Sequence, residues 1–136
     1  VMDGEGATKL IECTVIHAAV KEDARLLSKS VISSSLVKAA FFGNDANWGR
    51  VLCAMGYSGA AFDTDKVDIY FESGAGSIQL MQDGQPISFC EETATNIMAQ
   101  KLVKIKIDMK DGEAQATAWG CDLTYEYVKI NGCYRT

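Results

Sequence analysis

The stretch Val103–Lys110 constrains the fold more tightly than any other. Val103, Ile105, Ile107 and Met109 alternate there with Lys104, Lys106, Asp108 and Lys110. A period of two belongs to a β-strand, which sends successive side chains to opposite faces. With one face apolar and the other charged, this strand calls for a sheet that is covered on one side and wet on the other. The charges on its outer face read as solvated rather than as a binding patch. Asp111-Gly112 follows as a turn signal, and Glu113 to Trp119 is expected to return antiparallel beside it as a hairpin.

The remaining segments supply the layer that covers the apolar face. Lys9 to Ala19, rich in β-branched residues, reads as a strand with at least one well-buried face. His17 lies inside it and is assigned no role. Lys21-Glu22-Asp23 opens a helix whose acidic first turn complements the helix dipole, and Ala24, Leu27 and Val31, widened by Leu26 and Ile32, form its apolar face. Ser34 or Ser35 caps a second helix through Phe41, and Asn47 caps a third from Trp48 to Tyr57. Gly56 to Gly59 closes that helix and Asp63 to Asp65 marks another turn. Val67–Phe71 and Ile78–Met81 are strands joined by the Gly74–Gly76 turn, with Asp83-Gly84 as a further hairpin signal. Glu91 to Leu102 reads as a helix with Ala94, Ile97, Met98 and Leu102 inward, and Leu123 to Asn131 as a last helix capped by Asp122. Strand, helices, strand pair, helix, strand pair, helix is an α+β order: a mixed or antiparallel sheet with helices packed on one side.

Composition narrows the function classes. A chain of 136 residues with 48% hydrophobic and 23% charged residues is expected to form one domain, 1–136, with a real core. Pro86 is the single proline, and no Ser/Gly/Pro-rich linker divides the sequence. Net charge is −5 and the basic residues are scattered, whereas a nucleic-acid partner calls for a basic stripe. No apolar run approaches the length of a membrane span and no signal peptide is legible, so neither nucleic acid nor membrane is expected as a partner. The five cysteines, Cys13, Cys53, Cys90, Cys121 and Cys133, form no C-x-x-C pair and read as buried, reduced thiols of a cytoplasmic protein. No metal site is expected, because the only histidine, His17, has no ligand-spaced partner. The first residue is Val1 rather than Met, which reads as a cut or an omitted segment upstream.

Asp3-Gly4-Glu5-Gly6-Ala7-Thr8-Lys9 places one carboxylate between two glycines just ahead of the first strand. Glycine accepts backbone angles closed to other residues, so such a bend can hold Glu5 close to a ligand, and a carboxylate there suits a cationic group. Most Gly-rich bends are ordinary turns, and on its own this stretch is a weak signal. Gly43-Asn44-Asp45-Ala46-Asn47-Trp48-Gly49 is a tight polar loop, for which a rigid turn anchored by Trp48 and a wall of a site are equally open readings.

Taken together, four stretches are specific. Asp3–Lys9, Phe42–Arg50, Ala118–Thr124 and Asn131–Thr136 closely resemble, in order and spacing, the bifunctional ornithine acetyltransferase / N-acetylglutamate synthase family of arginine biosynthesis. The resemblance covers essentially the whole chain. It implies a precursor that cleaves itself before a threonine into an α chain and a β chain, within an N-terminal-threonine-nucleophile acetyltransferase fold. The new N-terminal threonine takes the acetyl group from N-acetylornithine and passes it to glutamate; in some members acetyl-CoA is the donor, and no other cofactor is implied. This is covalent catalysis, with the threonine's own α-amine available as base.

The self-cleavage threonine and the oxyanion-hole residues are absent from this sequence, so the resemblance makes it the C-terminal part of the β chain. No catalytic residue is expected on it, and alone it is expected to be inert. Thr8 and Thr136 are not the nucleophile, since neither is N-terminal. Glu5, Asn131 and Thr136 match the family's substrate-contact residues: Glu5 would face an ammonium of ornithine, and the other two would bond the substrate's polar ends. The implied partners are the α chain and the rest of the β chain, in a heterotetramer. The implied small molecules are N-acetylornithine, ornithine, glutamate and N-acetylglutamate. A free-standing, non-catalytic metabolite-binding module or assembly domain is the alternative. Against the binding module, a Gly-rich anion loop follows a strand and opens a helix, whereas this bend precedes a strand.

Overall fold

The alternation at 103–109 becomes a central strand. The computed structural model describes residues 8–122, and in them six strands form one sheet in the order β4-β3-β2-β5-β1-β6. Along the chain these are β1 (Leu10–Ala18), β2 (Asp68–Ser73), β3 (Gly76–Gln82), β4 (Gln85–Pro86), β5 (Leu102–Asp108) and β6 (Ala114–Cys121). Four helices accompany them: α1 (Lys21–Ser33), α2 (Ser35–Phe42), α3 (Trp48–Gly56) and α4 (Glu91–Met98). β1 and β5 run parallel and the other neighbours antiparallel, so the sheet is mixed, with helices on one side as expected.

Local chemistry sets the element ends. The Ser34 side chain accepts a hydrogen bond from the Val37 N–H at 3.2 Å, and Asn47 Oδ1 accepts from the Arg50 N–H at 3.0 Å; each satisfies an orphan donor of a helix N-terminus. Asp83 and Gly84 both take positive φ, 49° and 75°, as a two-residue hairpin turn of the I′ kind requires. A Cβ on Gly84 would also lie 2.3 Å from the Thr64 carbonyl oxygen, so glycine is doubly required there.

The core lies between the sheet and the helices. Ile11, Cys13 and Val15 of β1, Val103, Ile105 and Ile107 of β5, and Ile69 and Phe71 of β2 are fully buried against Leu27, Val31, Phe41, Val51 and Met55 of the helices. Each such aliphatic or aromatic side chain contributes about 1.5–3 kcal/mol through burial. β6 brings Ala116, Ala118 and Gly120 beneath α1, and a Cβ on Gly120 would lie 2.4 Å from Ile32 Cγ2. The glycine of the Ala118–Thr124 motif therefore lets a helix approach the sheet closely.

Three expectations are corrected. First, β5 and β6 are not a hairpin: β1 is inserted between them and pairs with both. The intervening residues bond to the end of β1 instead, Met109 N–H to the Ile16 carbonyl at 3.0 Å and Asp111 N–H to the His17 carbonyl at 2.8 Å. Second, the helix expected to run to Leu102 stops at Met98, and Leu102 already belongs to β5. The Lys101 carbonyl is taken by the Leu10 N–H at 2.7 Å, so β1 claims the chain before another helical turn can form. Third, only Cys13 of the described cysteines is buried. Cys53 and Cys90 are exposed and Cys121 is partly so, although all four are free thiols. Cys53 falls on the outer side of α3, and Cys90 precedes α4, where the hydroxyl and N–H of Thr93 and the N–H of Glu92 hold its thiol below the usual range. The expected helix Leu123–Asn131 and Cys133 lie outside the described residues.

Candidate functional site

Two of the buried polar side chains among the described residues, Lys9 and Asp122, lie where three of the motifs meet. Asp122, 1% exposed, closes β6. Its Oδ1 accepts from the backbone N–H of Thr8 at 2.8 Å and of Lys9 at 2.9 Å, while Oδ2 accepts from the Thr8 hydroxyl. Its own N–H donates to the Lys9 carbonyl at 3.2 Å, which continues the β1–β6 ladder past the last paired residues. The end of the Asp3–Lys9 motif and the middle of the Ala118–Thr124 motif are thus stapled together.

Lys9 carries the connection to the third motif. It is 5% exposed, and its ammonium donates to the Phe41 carbonyl at the end of α2 and to Asn44 Oδ1. A helix C-terminus is a favourable place for a cation, because its unpaired carbonyls carry partial negative charge. Burial lowers the Lys9 pKa from the ordinary value of 10.5, and the Asp122 carboxylate opposes that shift.

Asn44 sits in a hydrogen-bonded turn at the end of α2. Its φ is 54°, a left-handed conformation that Asn tolerates better than most residues. Its N–H donates to the Phe41 carbonyl at 3.1 Å and that of Asp45 to the Ala40 carbonyl at 2.9 Å. Asn47 Nδ2 donates to Asp45 Oδ2 at 3.1 Å, while Arg50 Nη1 reaches the Leu36 carbonyl at 3.0 Å. Beyond the loop, Asp45, Ala46, Asn47, Trp48, Phe89 and Glu91 line a cleft of about 290 Å³.

A model of the ArgJ family matches residues 1–136, the full length of this sequence. The chain belongs to the ArgJ family. It is 57% identical over 134 residues to the arginine biosynthesis bifunctional protein ArgJ of Caldanaerobacter subterraneus subsp. tengcongensis, covering 98% of this chain and 33% of that protein. The protein of the same name from Thermotoga neapolitana is 56% identical over 136 residues, 100% of this chain and 34% of its own length. The crystal structure of the bifunctional ArgJ protein of Bacillus halodurans superposes with a TM-score of 0.88 at 44% identity, over 96% of this chain and 60% of that one. The chain therefore spans about a third of the length of the curated ArgJ relatives it matches.

Glu5, Asn131 and Thr136, the substrate contacts that the family resemblance implies, lie outside the described residues. The described chain begins at Thr8 and ends at Asp122, and these two residues are hydrogen-bonded to each other. Reading the sequence missed the Lys9–Asn44 bridge and the Thr8–Asp122 staple. The expected role of Asp122 as a cap falls on a helix outside the described residues, while its carboxylate accepts three bonds from Thr8 and Lys9 that sequence reading did not anticipate. The available signal was that Lys9, Asn44 and Asp122 each fall inside a separate motif.

Proposed function

We propose that this chain is the C-terminal part of the β chain of a glutamate N-acetyltransferase of arginine biosynthesis, and that it supplies substrate-binding residues. In the proposed reaction, the hydroxyl of an N-terminal threonine on the preceding β segment attacks the acetyl carbonyl of N-acetylornithine. The threonine's α-amine takes the hydroxyl proton, the C–N bond breaks, and ornithine leaves with that nitrogen protonated. The amine of glutamate then attacks the acetyl-threonine ester, releasing N-acetylglutamate and restoring the hydroxyl. Acetyl-CoA serves as the donor in a second activity. The enzyme works in the cytoplasm as a heterotetramer of α chain and β chain.

Family membership along the whole sequence carries this reading. Glu5 would pair with an ornithine ammonium, and Asn131 and Thr136 would bond the polar ends of the substrate. Support for a composite site comes from the Thr8–Asp122 staple: the segments bearing Glu5 and bearing Asn131 and Thr136 leave the described body from bonded neighbours.

Glu5→Gln in the complete enzyme tests the assignment. A charge-assisted contact contributes about 1.5–3 kcal/mol, so kcat/KM for N-acetylornithine should fall roughly 10- to 100-fold. Unchanged KM and kcat would remove Glu5 from the site. Native mass spectrometry tests the assembly: a co-purifying N-terminal chain and a β chain starting at threonine are expected, whereas a lone chain with a bound metabolite would favour a binding module.

A further inference from the structure

We propose that the open edge of β6, with the groove that runs between it and α1, receives an extended acidic segment from the rest of the complete protein, which adds a further strand to the sheet.

The two edges of the sheet are built differently. β4 closes one side with two residues, Gln85 and Pro86, and a proline offers no N–H to a further strand. β6 closes the other with eight, Ala114–Cys121, among which there is no proline and no charged residue. An antiparallel edge strand bonds its neighbour through alternate residues and turns the N–H and C=O groups of the others outward. Neither shortness, proline nor charge blunts this edge.

Beside it lies a groove of about 370 Å³, lined by Arg25, Ser28 and Lys29 of α1 and by Ala116, Thr117 and Ala118 of β6. Successive residues of a strand face opposite ways, so three in a row line one groove only along the strand's edge. The small alanine side chains leave room there beneath the helix. Arg25 and Lys29 stand one helical turn apart and are exposed, and neither is paired with a carboxylate among the described residues. Outward main-chain groups with two cations beside them specify an extended chain whose side chains toward α1 are acidic: the backbone supplies the bonds and the charges choose the occupant. Its source is the same protein. This chain spans about a third of the length of its curated relatives, so the remainder has to pack against some part of it.

The test is hydrogen exchange in the complete protein, resolved to single amides over Ala114–Cys121. Bonded amides exchange only when the structure opens, so every amide of β6 should be slowed, the outward ones by about 100-fold or more relative to exposed amides. Arg25→Glu with Lys29→Glu should speed the outward amides about tenfold and leave the inward ones unchanged, because the ladder to β1 does not involve these cations. If the inward amides open as well, the sheet itself has been loosened, and the milder pair Arg25→Gln with Lys29→Gln decides by the same criteria. Outward amides that exchange freely in the unmutated protein would overturn the proposal. So would protection indifferent to both pairs of substitutions, since the occupant would then not be acidic. Protection that grows with protein concentration would overturn it in favour of pairing between two copies of the protein. None of these measurements involves turnover, so each result leaves the proposed acetyl transfer as it stands.

Discussion

Lys9, just ahead of β1, and Lys104, on the neighbouring β5, do opposite things. Lys9 is buried, and its ammonium donates to the Phe41 carbonyl and Asn44 Oδ1. The Lys104 side chain is 48% exposed and approaches Glu12 at 3.9 Å across the polar face of the sheet. That face carries a row of similar pairs, Lys106 with Glu72 at 3.5 Å and His17 with Asp108 at 2.8 Å. Lys106 also lies 4.8 Å above the Tyr70 ring, and Trp119 Nε1 donates to Glu12 Oε1 at 3.0 Å. On the wet face each charge has water as an alternative partner, so the pairing is weak and replaceable. At the junction of the motifs the protein itself must supply every partner, so each group there is specific. The difference explains the sign of the Lys9 shift as well. Its folded-state pKa lies below 10.5, so the folded chain holds that proton less tightly than the unfolded one, and stability at this group rises as pH climbs from the lowered value toward 10.5.

The largest effect should come from the carboxylate that the junction turns on. Asp122→Ala leaves two backbone N–H groups and the Thr8 hydroxyl without their acceptor, and removes the negative charge facing Lys9. Unsatisfied buried donors cost about 1–3 kcal/mol each, so a loss of roughly 3 kcal/mol or more is expected in urea unfolding. A loss below about 1 kcal/mol would mean that water reaches these groups and that the junction does not differ from the wet face.

Much of this contrast was legible in the sequence for one region and not for the other. The wet face follows from alternation, which needs only neighbours two residues apart: Val103 to Met109 and its lysines announce it. The caps at Ser34 and Asn47 and the Asp83-Gly84 turn are equally local, and each stands where its chemistry says. The insertion of β1 between β5 and β6 was not legible, because pairing between Cys13 and both Ile105 and Ala118 is decided by packing across the whole sheet. Lys9 was hidden for a related reason. A lysine ahead of an apolar strand looks like a solvated flank, and its partners Asn44 and Asp122 come from distant positions. Motif membership marked these residues as special, but only the fold shows that they touch.

An intermediate effect is expected where the junction's loop meets α3. Asn47→Ala removes the cap on the Arg50 N–H and the bond to Asp45 Oδ2, and should cost about 1 kcal/mol in urea unfolding. A loss near zero would mean that water takes over at the Arg50 N–H and that the loop does not depend on its cap.

The smallest effect belongs to the wet face, and it tests what that face is exposed to. Lys104→Ala and Glu12→Ala, measured singly and together in urea unfolding, should show a coupling below about 0.5 kcal/mol, the ordinary worth of an exposed pair at this distance. The mutual effect should shrink further at high salt, because exposed charges are screened within about 10 Å at 0.1 M ionic strength. The Trp119 contact adds a control: Glu12→Gln keeps an oxygen for the indole N–H while removing the charge, so it should behave like the unmutated chain. A coupling above about 1.5 kcal/mol that resists salt would require low dielectric around Lys104 and Glu12. That result would turn the comparison around, since this face would then lie under further protein, and its charges would be as specific as those that hold Lys9.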